Sequence, residues 1–326
     1  MHAIEKVLEQ RILILDGAMG TMIQKYDLSE EDFRVGYFES HPTPLKGNND
    51  LLSLTRPEII KEIHLEYLKA GADIIETNTF SGTSIAQADY HLEHMVYDIN
   101  FHSARIAKEV TNSFKDRACF VAGSIGPTNR TASMSPDVND PSYRAVTFDE
   151  LVVTYTEQVS ALLDGGVDIL LVETIFDTLN AKAALFAIDS LFESRKTSIP
   201  VMVSGTITDQ SGRTLTGQTT EAFLTSLSHI PLLSIGLNCA LGAKLMEPYL
   251  KILAQTAPFA VSAHPNAGLP NEFGAYDETP ELMSEQIEQF FKGNLINIIG
   301  GCCGTTPKHI AAIKDVAIKY SPRTWK

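Results

Sequence analysis

Leu295-Ile296-Asn297-Ile298-Ile299-Gly300-Gly301-Cys302-Cys303-Gly304-Thr305-Thr306-Pro307 reads as strand, turn and helix start within one short stretch. The apolar run supplies the strand, and Thr306-Pro307 reads as a helix N-cap and first turn. On a regular strand, neighbouring side chains face opposite ways, so two adjacent cysteines could not serve one site. Three glycines surround this pair and permit backbone angles that turn both sulfurs in one direction.

Working outward, the same order of apolar run and then helix recurs along the chain. The earlier strands are expected at 12–15, 72–78, 118–123, 167–173, 199–205, 232–239 and 259–264. Thr55 is expected to cap a helix through Ala70, and a helical stretch to cover 85–114. Thr147 and Glu150 form a capping box, after which Leu151, Val152, Tyr155, Val159 and Leu162 keep one helical face. Further helices are expected over 177–194, 220–229 and 243–257, and one capped by Thr279-Pro280. Ile310, Ile313, Ala317 and Tyr320 mark the last. Strands that are apolar throughout predict a parallel sheet buried on both faces. Eight such units predict a (β/α)8 TIM barrel, one domain over 1–326 with insertions at about 21–54 and 126–146. A doubly wound open sheet is the alternative, but it lacks the early Gly-x-Gly-x-x-Gly turn. The polar residues Asp16, Glu76, Asn78, Glu173, Asn238, Cys239, Asn266, Cys302 and Cys303 all sit where strands end, the face on which barrels build their sites.

Apolar residues make up 44% of the chain and charged ones 20%, an ordinary globular balance. Twenty-six basic against 40 acidic residues give a net charge of −14, which argues against nucleic acid and anionic membrane as partners. No apolar run reaches membrane-spanning length, and the charged, helical start at 1–11 is no signal peptide. A cytoplasmic protein is expected.

Cys239 ends its own apolar run in Gly236-Leu237-Asn238-Cys239. Three thiols at the ends of two strands are placed to hold a soft metal such as zinc, with the fourth position open to a substrate. Against this stand a strained Cys302–Cys303 disulfide and three inert core thiols. Cys119, inside an apolar run, fits the inert reading. The Asp16-Gly17-Ala18 turn can offer backbone N–H groups to a carboxylate. Asp16 and Glu173 could hold an ammonium group, or each could simply cap a helix. An amino acid whose own thiol reaches the metal satisfies all of these groups. His264 is a candidate fourth ligand, but reads better as a bystander. The sequon Asn129-Arg130-Thr131 is read as without consequence, and the helix beginning at Pro307 as a source of positive potential for the thiolates.

At Asp16-Gly17-Ala18-Met19-Gly20-Thr21, Gly236-Leu237-Asn238-Cys239 and Gly300-Gly301-Cys302-Cys303-Gly304-Thr305 the chain resembles the zinc-dependent homocysteine S-methyltransferases, and the likeness covers nearly all of it. Lys46-Gly47-Asn48-Asn49-Asp50-Leu51-Leu52, Gly126-Pro127-Thr128-Asn129-Arg130-Thr131 with Ser135-Pro136-Asp137-Val138, and His264-Pro265-Asn266-Ala267-Gly268 narrow it. They are most similar to the N-terminal homocysteine-binding module of cobalamin-dependent methionine synthase. The resemblance implies that Cys239, Cys302 and Cys303 are zinc ligands and the catalytic centre. It implies Asp16, Gly17, Ala18, Glu173 and Asn266 as substrate-binding residues. The implied reaction activates L-homocysteine as a thiolate for methylation to methionine. The implied donor is methylcobalamin on a separate corrinoid module or protein, with a folate module beyond it. A standalone enzyme using S-methylmethionine or betaine is the alternative, and a binding domain with structural zinc the non-enzymatic one. The family enzyme continues into folate, cobalamin and activation modules, whereas this sequence ends at Lys326, which leaves fragment and standalone protein both open.

Overall fold

The computed structural model describes residues 2–208 and 211–325. The eight apolar runs form parallel strands: β1 Leu13–Ile14, β2 Ile74–Glu76, β3 Phe120–Ile125, β4 Ile169–Ile175, β5 Val201–Gly205, β6 Ser234–Gly242, β7 Ala260–Asn266 and β8 Ile298–Ile299. Hydrogen bonding links them in the order β1-β8-β7-β6-β5-β4-β3-β2. The circle closes where Leu15 bridges Ile74, with Asp16 N–H donating to Ile74 O at 3.0 Å and Asp73 N–H to Ile14 O at 2.7 Å. A closed parallel order is the expected (β/α)8 barrel and excludes the open sheet. A helix follows each strand: α1 Pro57–Ala70, α2 Val96–Ser113, α3 Phe148–Gly165, α4 Thr178–Arg195, α5 Thr220–Leu227, α6 Ala243–Thr256, α7 Pro280–Lys292 and α8 Pro307–Ala317.

Strand alternation splits the core in two. On β4, Leu170 and Val172 pack outward against the helices, while Ile169 and Leu171 join a lumen cluster with Leu13, Ile74, Phe120, Met202, Ala260 and Ile298. A short helix, Ala3–Leu8, plugs the lower mouth by adding Ile4 and Leu8 to that cluster. Beside the seam, Asp73 is held by Arg11 at 2.6 Å and Arg117 at 3.3 Å. The same alternation, carried one step up each strand, places Glu76, Ser124, Glu173, Ser204, Asn238 and His264 inside the upper lumen.

The expected boundaries shift for physical reasons. Thr55 caps nothing: it closes a short helix, Leu52–Thr55, and Arg56 with Pro57 opens α1. The helical stretch at 85–114 breaks, because His91 turns left-handed at φ 55° before α2 begins. β4, β6 and β7 run past their expected ends to Ile175, Gly242 and Asn266. β8 is only two residues long, and Asn297 before it uses its side chain to accept from Val261 N–H and donate to Arg323 O. Tyr320 lies beyond the end of α8, its hydroxyl donating to Glu288. The capping box at Thr147 and Glu150 forms as expected.

Candidate metal centre

The two cysteine-bearing strand ends depart from regular geometry. In β6 the backbone turns left-handed at Cys239 (φ 59°) and Ala240 (φ 54°), and the register with β7 slips between Asn238 and Gly242. After β8 the loop is pinned on several sides. Gly301 N–H donates to Asp16 O at 3.1 Å, Cys302 N–H to Pro265 O at 2.9 Å, and Ala267 N–H to Cys303 O at 2.9 Å. Gly304 N–H donates to Thr21 Oγ1 at 3.0 Å. Gly304 has φ +80°, and a Cβ there would lie 2.3 Å from Tyr276 Cβ, so only glycine fits.

These turns bring the sulfurs of Cys239, Cys302 and Cys303 within 4.8 Å of one another, with Cys239 and Cys303 at 3.7 Å. A tetrahedral zinc with bonds of about 2.3 Å needs sulfurs roughly 3.8 Å apart, so the donor set fits zinc with one position left over. All four cysteines are free. Cys119 stands apart, just before β3, half-buried with its thiol directed at Arg117 O at 3.7 Å, at the rim of the core rather than inside it. His264 is not in the cluster. Both its ring nitrogens are buried without a partner, and burial pushes its pKa down to about 3, so it is neutral. Hydrogen bonds from the Cys239 and Cys302 thiols, and then from the Tyr276 hydroxyl, pull Cys303 far below the usual thiol range. Cys302, next to both other sulfurs, is pushed well above it.

Three carboxyl groups lie at the same level of the lumen. Asp16 Oδ2 accepts from Glu76 N–H at 3.0 Å, while Asp16 Oδ1 is buried with no partner. Ser124 Oγ donates to Glu173 Oε1. Burial raises the pKa of Asp16, Glu76 and Glu173 alike, and their mutual repulsion adds to it for Asp16 and Glu76. For Glu173 the Ser124 hydroxyl, and after it the neighbouring Glu76 carboxyl, work against that rise. Among the described residues no salt bridge reaches any of the three. An unpaired acidic pocket of this kind is shaped for a cation.

Of the other residues singled out in the sequence, Asn266 is buried with Oδ1 unpartnered. The Ala18 N–H already donates to Thr305 Oγ1 at 3.1 Å, so an anion at that residue would have to share or displace the bond. A Cβ on Gly17 would lie 2.7 Å from Thr305 Oγ1. Asn129 Nδ2 donates to Asp89 on the surface. The first turn of α8 is capped by Thr306 with His309. Sequence reasoning missed Ser124 and Tyr276. Ser124 had a signal, its lumen-facing parity on β3. Tyr276 had none, since it lies in an irregular loop.

A model of the homocysteine S-methyltransferase family matches residues 13–317. The homocysteine methyltransferase MmuM from Escherichia coli, in its metallated form, superposes with a TM-score of 0.73 at 23% identity, over 95% of this chain and 98% of that one. Its oxidized form gives 0.73 at 22%, over 95% and 97%. A B12-independent methionine synthase from Shewanella sp. W3-18-1, in complex with selenomethionine, gives 0.51 at 13%, over 85% and 90%. At these identities the structures bear on the fold alone.

Proposed function

Because the chain belongs to the homocysteine S-methyltransferase family, we propose that its three-cysteine site takes the thiol of L-homocysteine and prepares it for methylation to methionine. The observation that carries this reading is the meeting of three thiols within 4.8 Å beside buried carboxyl groups that lack a cation. Cys239, Cys302 and Cys303 would hold a zinc ion. Zinc bound there supplies Lewis-acid chemistry that favours the thiolate form of the substrate sulfur at neutral pH.

The remaining work falls to the chain itself. Asp16, through its free Oδ1, and Glu173 receive the substrate ammonium, whose charge offsets acids that burial otherwise disfavours. The Ser124 hydroxyl, donating to Glu173 Oε1, orients that carboxyl group. Backbone around Gly17 and Ala18, with Asn266, meets the carboxylate end.

The donor we favour is methylcobalamin carried by a separate corrinoid module or protein, with a folate module as the source of its methyl group. Support comes from the loops that crown the barrel mouth, which expose Tyr37, Phe80, Val138, Leu215 and Phe273 to solvent. Exposed apolar side chains on loops that follow several different strands suit a large partner better than a small donor. We take residues 1–326 as the homocysteine-binding unit, working in the reducing cytoplasm that keeps its thiols free. Among the described residues no helix is long and apolar enough to cross a membrane.

Calorimetry of the zinc-loaded protein with homocysteine, in two buffers of different ionisation enthalpy, tests the reading. About one proton should be released near neutral pH, since a free thiol is mostly protonated below a pKa of about 8.5. Binding without release would defeat it. Glu173→Gln should weaken homocysteine binding by about tenfold with zinc content intact. Turnover with methylcobalamin, S-methylmethionine and betaine then separates the donors.

A further inference from the structure

Seven non-glycine residues among those described have positive φ: Asp27, His91, Thr174, Lys196, Cys239, Ala240 and Asn294. Asp27, His91, Lys196 and Asn294 end helices or lie in turns, where the left-handed region is commonplace. Thr174, Cys239 and Ala240 lie inside strands, and none is a residue type that favours this region. Thr174, at φ 53°, is β-branched and pays the largest steric penalty there. Each strained position coincides with a register slip, between Val172 and Ile175 on β4 and between Asn238 and Gly242 on β6. Those two slips carry Glu173 and Cys239, so strain is confined to the strand ends that build the site.

One side chain joins them. Asn238 Oδ1 accepts from Thr174 N–H at 2.9 Å, and Asn238 Nδ2 donates to Thr174 Oγ1 at 2.8 Å. The same Nδ2 lies 4.0 Å from Cys302 Sγ. Asn238 O accepts from Thr206 Oγ1 at 3.0 Å, which fixes the backbone from the β5 side. Asn238 is 1% exposed, so water does not compete for these bonds. The amide therefore spans from β4 to β6 over β5 and touches the end of β8.

We infer that Asn238 is a positioning residue that holds the Glu173 bulge of β4 at a fixed separation from the Cys239 bulge of β6. An amino-acid thiol bound by its ammonium at one bulge and by its sulfur at the other reads that separation directly, a step that rests on the function proposed above. Asparagine suits the task because one amide offers an acceptor and a donor in a single plane. The two bonds hold Thr174 in a conformation it would otherwise leave.

The test loads full-length wild type, Asn238→Ala, Thr174→Val and Thr174→Ser with cobalt(II) in place of zinc. Asn238→Ala should keep one metal per chain, show shifted visible ligand-field bands, and bind homocysteine about tenfold more weakly, the scale of one lost hydrogen-bonded pair. Thr174→Val, which removes only the hydroxyl, should weaken binding about threefold or more. Thr174→Ser, which keeps N–H and hydroxyl, should stay within about twofold of wild type. A role in stability alone would lower the melting temperature without moving the cobalt bands of the folded protein. Unchanged bands in Asn238→Ala together with a near-wild-type dissociation constant would overturn the inference. Should Asn238→Ala not fold, Thr174→Val binding as tightly as Thr174→Ser would overturn it instead. Wild type that takes up cobalt but not homocysteine would defeat the proposed function. In that case a band shift in Asn238→Ala would still uphold the positioning role.

Discussion

The lower and upper halves of the barrel lumen are lined by the same strands and do opposite things. Ile169 and Leu171 of β4 sit in an apolar cluster closed from below by Ile4 and Leu8. One step up the same strand, about 6.6 Å away, Glu173 is buried among other acids. Below, each buried aliphatic side chain contributes about 1.5–3 kcal/mol, and no strand residue has positive φ. Above lie raised carboxyl pKa values, unpartnered Asp16 Oδ1, Asn266 Oδ1 and His264 nitrogens, and three strained residues at about 1–2 kcal/mol each. Stability is concentrated in one half, and the groups that would serve chemistry in the other.

Removing a thiol should test the division most severely. Cys302→Ala should lose its metal by elemental analysis and its methyl transfer to background, while the metal-free protein melts within a few degrees (about 4 °C) of wild type. A collapse of the metal-free fold would mean that the upper half is structural after all. The converse change is Leu8→Ala in the lower plug, which should cost about 2–5 kcal/mol in urea denaturation. Its metal content and homocysteine affinity should stay as in wild type, and loss of either would join the halves.

How much of this was legible in the sequence differs between the same two halves. The lower half follows from apolar runs alone, because strands buried on both faces have no alternation to misread. The cysteine pair was legible because Gly300, Gly301 and Gly304 advertise an irregular backbone. The polar residues of the upper strand ends were legible too, but the path of the backbone there was not. Thr174, Cys239 and Ala240 adopt left-handed backbone without being glycine or asparagine, so nothing local marks them. Ser124 meets Glu173 across 49 residues and Asn238 meets Thr174 across 64, partnerships that only the closed barrel creates. Cys119, expected in the core, packs at its edge because β3 begins one residue later, at Phe120.

A third change sharpens the electrostatic side of the comparison. Asp50, above the barrel, is buried with Ser81 N–H as donor at 3.0 Å, and burial pushes its pKa up to about 7 from 3.8. A carboxyl whose folded pKa is raised binds its proton more tightly when folded. Its contribution is present below about pH 4 and lost as pH rises to about 7, at up to about 1.4 kcal/mol per unit. Asp50→Asn should flatten the fall in denaturation midpoint across that window, and an unaltered slope would show that Asp50 is ionised in the fold. The smallest effect belongs to Cys119→Ala, expected to cost about 1 kcal/mol or less with metal and activity untouched.

The seam between β1 and β2 carries a consequence for the order of assembly. β1 pairs with β8 through Leu13–Ile298 and Ile14–Ile299, and the circle is completed by the single bridge from Leu15 to Ile74. Cys302 and Cys303 follow directly on β8, and their loop hangs on the carbonyl of Asp16 next to that bridge. A chain growing from its N-terminus therefore has Cys239 long before it has anything to pair it with, and gains its second and third thiols with the last strand. The sulfur cluster is therefore completed only with the last strand, whose contacts with β1 are distant in sequence and of a kind that forms slowly. Metal uptake by a nascent or refolding chain would serve as a clock for the arrival of that strand.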